Sequence, residues 1–412
     1  MVKLAGGHLG RLAAVALALW LAVAGGAALA GPKLPFGSHR EAYAAGMLRP
    51  SGGQAAADRA TAAAYDLWKS RYLERGCGAG EYRVAADTGE AWVVSEGQGY
   101  GMLIAVMMAG HDPDARAIFD GLHRYNRRHP SQNDRRLVAW AQDADCNDIL
   151  NADSATDGDL DIAYALLLAH RQWGSKGAID YAAAARTVMA ALWRRNVNRS
   201  TRLVNLGDWV TPSSKRYAGG TRSSDWMLGH FRAFTETAGG ARWASVLEAH
   251  QDAIATMQAD SAPKTGLLPD FMVAEDGSIE PAPPFYLEAK SDGSYSWNAC
   301  RTPWRIGIDA AMSGDPRSVA AVRRMSRWMR STAKGDPARI RDGYTLAGRV
   351  IEGGNDLAFL APFAVAAMAD PGAQRWLDAL WREMTRRGPE GYYGDSIRLL
   401  SMLAVSRNWL TP

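Results

Sequence analysis

Apolar positions recur at intervals of three and four residues through twelve stretches of the chain, and that period predicts twelve helices. They fall at Gln54–Tyr72, Ser95–Ala109, Asp114–Tyr125, Asp157–Gln172, Ala178–Arg195, Ser224–Ala238, Ala241–Met257, Arg301–Met312, Pro316–Thr332, Asn355–Ala369, Ala373–Arg387 and Tyr393–Ser406. In the first, Ala60, Ala64, Leu67, Trp68 and Tyr72 mark the expected apolar face. Residues 31–50 have no clear period and read as an extended arm. Long loops rich in Gly, Asp, Ser and aromatics separate alternate helices, at 74–94, 128–156, 196–223, 258–300 and 333–354. Strand-like alternation is scarce, with Ala91–Val94 the short exception. An even number of helices joined by short turns and long loops predicts an all-α fold, helix hairpins stacked into a closed toroid with the loops forming one working face. No repeat near 34 or 40 residues supports a solenoid instead.

Residues 1–30 break this pattern. Lys3 and Arg11 precede an apolar run from Leu12 to Ala24, and Ala28-Leu29-Ala30 precedes Gly31, the arrangement of a secretory signal peptide with a small-residue cleavage site. A membrane anchor is the competing reading, disfavoured by the shortness of the run. Cleavage leaves residues 31–412 as a single domain and lowers the formal charge from +4 to +2, since Lys3 and Arg11 leave and no acid does. So balanced a surface gives no argument for a nucleic-acid partner, and no later segment is apolar enough to span a membrane. The expected location is secreted or periplasmic. Cys77, Cys146 and Cys300 permit one disulfide at most, with the pairing open. CxxC and HExxH are absent, the histidines are scattered, and neither a metal nor a cofactor is expected.

The candidate chemistry gathers at helix starts. Ser95-Glu96-Gly97-Gln98-Gly99-Tyr100-Gly101 opens a helix, and Ser95 with Gln98 fits a capping box. Glu96 in the first turn could simply answer the helix dipole. The glycines each cost roughly 1 kcal/mol against alanine in a helix, which suits a place where something approaches the backbone closely. A second cluster, Thr156-Asp157-Gly158-Asp159-Leu160-Asp161, puts Asp157 and Asp161 one turn apart on one helix face. A calcium loop would need glycine where Ile162 stands. N-capping and a sugar-binding or catalytic carboxylate remain as readings. A third runs from Glu288 through Trp297, Asn298, Arg301, Trp304 and Arg305, where the arginines serve either as core-edge ion pairs or as clamps on carboxylates. Trp92, Trp140, Trp209, Trp226, Trp297 and Trp304 lie on or beside the loops. Aromatic faces stack on sugar C–H faces and a carboxyl pair cleaves a glycosidic bond, so together they describe a groove for pyranose rings.

These motifs resemble glycoside hydrolase family 8, the bacterial endoglucanases, lichenases and chitosanases. The block Ser95–Gly101 looks like the family's acid motif. Ala155–Trp173 fits its signature without a gap, and Arg301–Gly307 and Tyr392–Ser401 look like further family blocks. The resemblance implies an (α/α)6 barrel of twelve helices, inversion of configuration and a β-linked polysaccharide substrate. It also implies Glu96 as general acid and Asp157 as holder of the distorted sugar, with Arg301 nearby. Tyr100, Trp140, Trp209 and Asn298 join Arg301 as expected substrate contacts. One position departs from the commoner pattern. Many members carry a general-base Asp three residues before the arginine, and Asn298 stands there, as in a subgroup whose base is a Glu from the preceding loop. Glu288 is the matching candidate, with Asp292 the rival. A β-1,4-linked or mixed-linkage glucan is the leading substrate and chitosan the alternative. An inactive polysaccharide-binding protein is the reading that follows if Glu288 is no base.

Overall fold

The computed structural model describes residues 31–412, and the expected signal peptide lies outside them. Among the described residues are twelve α-helices: α1 (Gln54–Tyr72), α2 (Ser95–Met107), α3 (Ala115–Arg128), α4 (Thr156–Trp173), α5 (Tyr181–Arg195), α6 (Leu228–Phe234), α7 (Ala241–Thr256), α8 (Thr302–Ser313), α9 (Pro316–Thr332), α10 (Leu357–Met368), α11 (Gln374–Arg386) and α12 (Tyr392–Val405). Each lies where the sequence period puts one. The face of α1 differs from expectation. Ala57, Thr61, Tyr65, Trp68 and Tyr72 point inward while Leu67 is exposed, so the inward stripe is set by Tyr65 rather than by Leu67.

Even-numbered and odd-numbered helices have different sequences for a structural reason. α10, Leu-Ala-Phe-Leu-Ala-Pro-Phe-Ala-Val-Ala-Ala-Met, is apolar on every side and wholly buried. α11 buries only Trp376, Leu377, Leu380 and Met384 and exposes charge elsewhere. A helix apolar all round must be enclosed, whereas a striped one can face water. α2, α4, α6, α8, α10 and α12 accordingly form an inner ring in which each touches the next and α12 returns to α2. The odd helices pack outside it. This is an (α/α)6 barrel.

Connectivity then places the working face. Turns from an inner helix to the next outer one are short, as at 108–114 and 314–315, whereas five of the six passages from outer to inner are long, as at 129–155, 196–227 and 333–356, the exception being 387–391. All six inner helices therefore present their N-termini, the positive dipole ends, at the looped end of the barrel. The arm 31–50 crosses the opposite end. Its Phe36, Ala44 and Leu48 amides donate to the carbonyls of Ala109, Ala311 and Met368, at 2.7, 2.8 and 2.8 Å, closing off helix C-termini that would otherwise lack partners.

The loops hold short strands: β1 (Leu73–Arg75), β2 (Tyr82–Val84), β3 (Val93–Val94), β4 (Ala141–Gln142), β5 (Gly220–Arg222), β6 (Phe271–Glu275) and β7 (Ser278–Pro281). β1 pairs with β2 and β3 with β4, while β5, β6 and β7 form an antiparallel sheet in that order. Only β3 coincides with the strand expected from sequence. Cys77 and Cys146 are joined in a disulfide, and Cys300 is free and buried. Among the described residues no helix is long and apolar enough to cross a membrane.

Candidate active site

α2 begins without the capping box. Val94 is its extended N-cap, and the Ser95 amide donates to the Trp140 carbonyl at 2.8 Å, so the β3–β4 pairing starts the helix. Ser95 Oγ finds no partner among the described residues, and Gln98 turns away to accept from the Val84 amide and donate to Asn126. The cause is packing. A Cβ on Gly158 would lie 2.7 Å from Ser95 Cβ, and one on Gly99 would lie 2.7 Å from Asp161 Cβ. Glycines let α2 and α4 close on each other where side chains would hold them apart. Gly97 does the same for the Tyr392 hydroxyl, 2.7 Å from where its Cβ would stand. What approaches the backbone closely is therefore α4 and α12, and the result is that Glu96 and Asp157 project from adjoining helix starts.

Arg301, at the entry to α8 and 2 % exposed, joins them. One nitrogen, Nη1, contacts Glu96 Oε2, lies 2.9 Å from Asp157 Oδ2 and 3.4 Å from the Tyr100 hydroxyl, while Nη2 donates to Asn298 Oδ1 at 2.9 Å. The Tyr392 hydroxyl donates to Glu96 Oε1 at 3.1 Å. Asn298 Nδ2 in turn donates to Glu288 Oε2 at 2.8 Å. An unbroken chain, Glu96–Arg301–Asn298–Glu288, thus crosses the mouth of the barrel. The two glutamates stand apart with a guanidinium and a carboxamide between them.

The acids are in different electrostatic states. Burial pushes the Glu96 carboxyl up from its ordinary range and the Asp157 charge adds to this, against the opposing pull of Arg301 and of the Tyr392 hydroxyl. The net direction is upward despite the helix start. Burial works the same way on Asp157, but Arg222, Arg301 and the Gly158 amide outweigh it and hold that carboxyl below its usual range. Deeper in, Asp161 is ion-paired with Arg305 at 2.6 and 2.8 Å and hydrogen-bonded to His230, so Arg305 supports the wall rather than lining it. Asp159 is fully buried, and burial together with Asp208 raises it well above normal.

Several expected contacts fall elsewhere. Tyr100 is completely buried behind Arg301, edge-on to Trp304, and has no face to offer a sugar. Asn298 is 7 % exposed and spends its carboxamide on Arg301 and Glu288. Trp226 and Trp304 are core residues, each 0 % exposed. Trp140 and Trp209 are half-buried on the looped face, and Trp297 is 40 % exposed beside Tyr393. N-capping by Thr156 or Asp157 also fails. Thr156 donates to the Asn205 carbonyl, and Asp157 is committed to the arginines.

The loop carrying Glu288 is held by Asp292. Its carboxylate accepts from the amides of Leu287, Glu288 and Ala289 at 2.7, 3.0 and 2.8 Å, so both of its oxygens are spent on the loop backbone. Arg216 adds a bond to the Phe285 carbonyl at 2.7 Å. Arg222, Asp225 and Asp270 complete the cluster and were not found from sequence. Arg222 sits on a three-residue strand, too short to give alternation, and Asp270 braces the loop by accepting from the amides of Ser296, Asn298 and Ala299. A separate cavity of about 1070 Å³ between Arg194, Asn198, Asp252 and Ser278 has no aromatic lining and lacks these carboxyls.

A twelve-helix barrel whose open end gathers carboxyls clamped by guanidiniums beside half-exposed tryptophans fits a glycoside hydrolase. The chain belongs to glycosyl hydrolases family 8, whose model matches residues 41–407. It is 43 % identical to a β-glucanase of Niallia circulans over 93 % of each chain. It is also 38 % identical to an endoglucanase of Bacillus sp. strain KSM-330, covering 89 % of this chain and 80 % of that one. The β-1,3-1,4-glucanase of Paenibacillus sp. X4 superposes with a TM-score of 0.90 at 42 % identity, covering 93 % of this chain and all of that one.

Proposed function

We propose that the protein is an endo-acting, inverting hydrolase of β-linked glucan, with mixed-linkage β-1,3-1,4-glucan its foremost substrate. The observation that carries this reading is the Glu96–Arg301–Asn298–Glu288 chain across the barrel mouth. In it Glu96, whose hold on its proton is strengthened by burial and by Asp157, donates that proton to the glycosidic oxygen. Glu288 takes a proton from a water molecule as that water's oxygen attacks the anomeric carbon, and the bond to the leaving sugar breaks. Inverting pairs stand about 6.5 to 9.5 Å apart to admit the water, and two carboxyls kept out of contact by intervening side chains suit that arrangement. Asp157, ionised between Arg222 and Arg301, faces the positive charge that develops on the sugar ring.

The relatives at 43 and 42 % identity, named for glucan and mixed-linkage glucan, support the substrate class. The protein acts outside the cytoplasm in this reading, supported by the pattern of residues 1–30 and by the Cys77–Cys146 disulfide. Reducing-end release from mixed-linkage glucan, carboxymethyl-cellulose and chitosan, with NMR of the first anomer released, tests it. Fast cleavage of mixed-linkage glucan giving the α-anomer is expected. A β-anomer, or chitosan as the best substrate, overturns it.

A further inference from the structure

Glu288 is hydrogen-bonded through one oxygen only. Oε2 accepts from Asn298, whereas Oε1 accepts no hydrogen bond among the described residues. What faces Oε1 is Arg222, whose Nη2 lies 3.9 Å away. The other terminal nitrogen of the same guanidinium, Nη1, lies 3.4 Å from Asp157 Oδ2. Arg222 ends β5, in register with Phe271 of β6, and its guanidinium lies 5.5 Å from the Phe271 ring centre, so strand pairing and ring fix its place. Its side chain is 13 % exposed. The charged groups around it are Asp157, Glu288 and Asp225, with Arg301 the one repelling neighbour. Around Glu288 itself stand Arg222, Asp270 and the Asp292 carboxylate that caps its loop.

We propose that Arg222 is a positioning residue for the hydrolytic step, aiming Glu288 Oε1 at the attacking water by holding both Glu288 and Asp157 from one guanidinium. The separations fit this division of labour. At 3.9 Å the cation attracts the carboxylate without donating a hydrogen bond to it, so Oε1 keeps its lone pairs for a water proton. A closer bidentate pair would occupy the oxygen that has to accept. Asn298 fixes the carboxylate from its other side, and the amide in turn is fixed by Arg301. Base and sugar-holding acid are thereby referenced to the same sheet edge, although Glu288 comes from a loop and Asp157 from a helix.

The inference rests on Glu288 being the base, and the test separates the two. Arg222→Gln and Arg222→Lys are compared with wild type and with Glu288→Gln on mixed-linkage glucan, each checked for an unchanged far-UV spectrum and melting temperature. Arg222→Gln is expected to lower kcat on the order of ten- to a hundredfold with KM within about twofold, the range of a lost catalytic alignment. Arg222→Lys recovers part of kcat, and added guanidinium restores activity to Arg222→Ala. In the Glu288→Gln background, assayed with an activated aryl glycoside, Arg222→Gln costs clearly less than it does alone. Equal cost in both backgrounds, or a loss carried by KM alone, overturns the role of Arg222 while leaving Glu288 as base. Full activity of Glu288→Gln overturns both.

Discussion

The two sides of the cleft are built differently. On one, Glu96 and Asp157 stand on the first turns of α2 and α4, which close on each other through Gly99 and Gly158 so tightly that a methyl group at either would meet a neighbouring atom at 2.7 Å or less. On the other, Glu288 stands half-exposed on a loop held by one buried carboxylate, one arginine and an edge of sheet. The acid side is rigid because helix packing over-determines it. The Glu288 side is defined by a few polar contacts that could rearrange without disturbing the barrel. The proposed inverting reaction has use for both, since a proton donor needs burial to hold its proton while a base must stay open to water.

The sharpest way to break this comparison is to remove each carboxyl in turn and vary the leaving group. Glu96→Gln is expected to lose about 10²–10⁴-fold in kcat on glucan, and much less on an aryl glycoside whose leaving group departs without a proton. Glu288→Gln should lose a similar factor on both substrates, because water needs a base in either case. Equal behaviour of the two variants across substrates contradicts the assignment of donor and base.

Next in size come variants that strain the two walls. Gly99→Ala pushes a methyl into Asp161 and is expected to cost about 1–3 kcal/mol of stability, read as a lowered melting temperature. Asp292→Asn should do the opposite. It turns one of the two accepting oxygens into an NH2, so kcat falls about tenfold, while the freed amides of this partly exposed loop turn to water and the melting temperature falls by less than for Gly99→Ala. A larger thermal effect from Asp292→Asn than from Gly99→Ala would invert the contrast.

The same contrast explains what the sequence disclosed. All twelve helices follow from apolar period, since each either buries a stripe or is buried whole, and Glu96, Asp157 and Arg301 come with them as fixed offsets from helix starts. The β5–β6–β7 sheet does not, because three to five residues give too little alternation, and Arg222 was missed with it. Direction also escapes composition. Trp304 and Trp297 lie seven residues apart near one helix start, yet one is in the core and the other 40 % exposed, a difference decided by which way the 3₁₀ turn Ala299–Arg301 faces. Ser95 and Gln98 have the letters of a capping box, but Gly158 brings α4 where the cap would form.

On activity, a milder effect is expected from the disulfide. Cys77–Cys146 closes a loop with a sequence separation of 69 and ties the turn before β2 to the segment after β4, a strand that directly follows Trp140, whose carbonyl starts α2. Chain-entropy arguments put such a crosslink at about 4 kcal/mol. Cys77→Ser with Cys146→Ser should lower the melting temperature under oxidising conditions and make it insensitive to reductant, while activity at low temperature is retained.

The smallest predicted change is the most specific to the electrostatics of the acid. Tyr392 donates to Glu96 Oε1, a bond that favours the ionised carboxyl and so opposes the upward push of burial and Asp157. Tyr392→Phe removes that bond, and the proton on Glu96 is then held to higher pH. The alkaline limb of kcat/KM, which reports loss of the donor's proton in the free enzyme, should move upward. Asp157→Asn should move the same limb downward, because the charge that raises Glu96 is gone, although the rate itself falls far more. Opposite shifts from a hydroxyl and a carboxylate that touch the acid from α12 and across Arg301 would show that its proton is set by this balance. Parallel shifts, or none, would place the titrating group elsewhere.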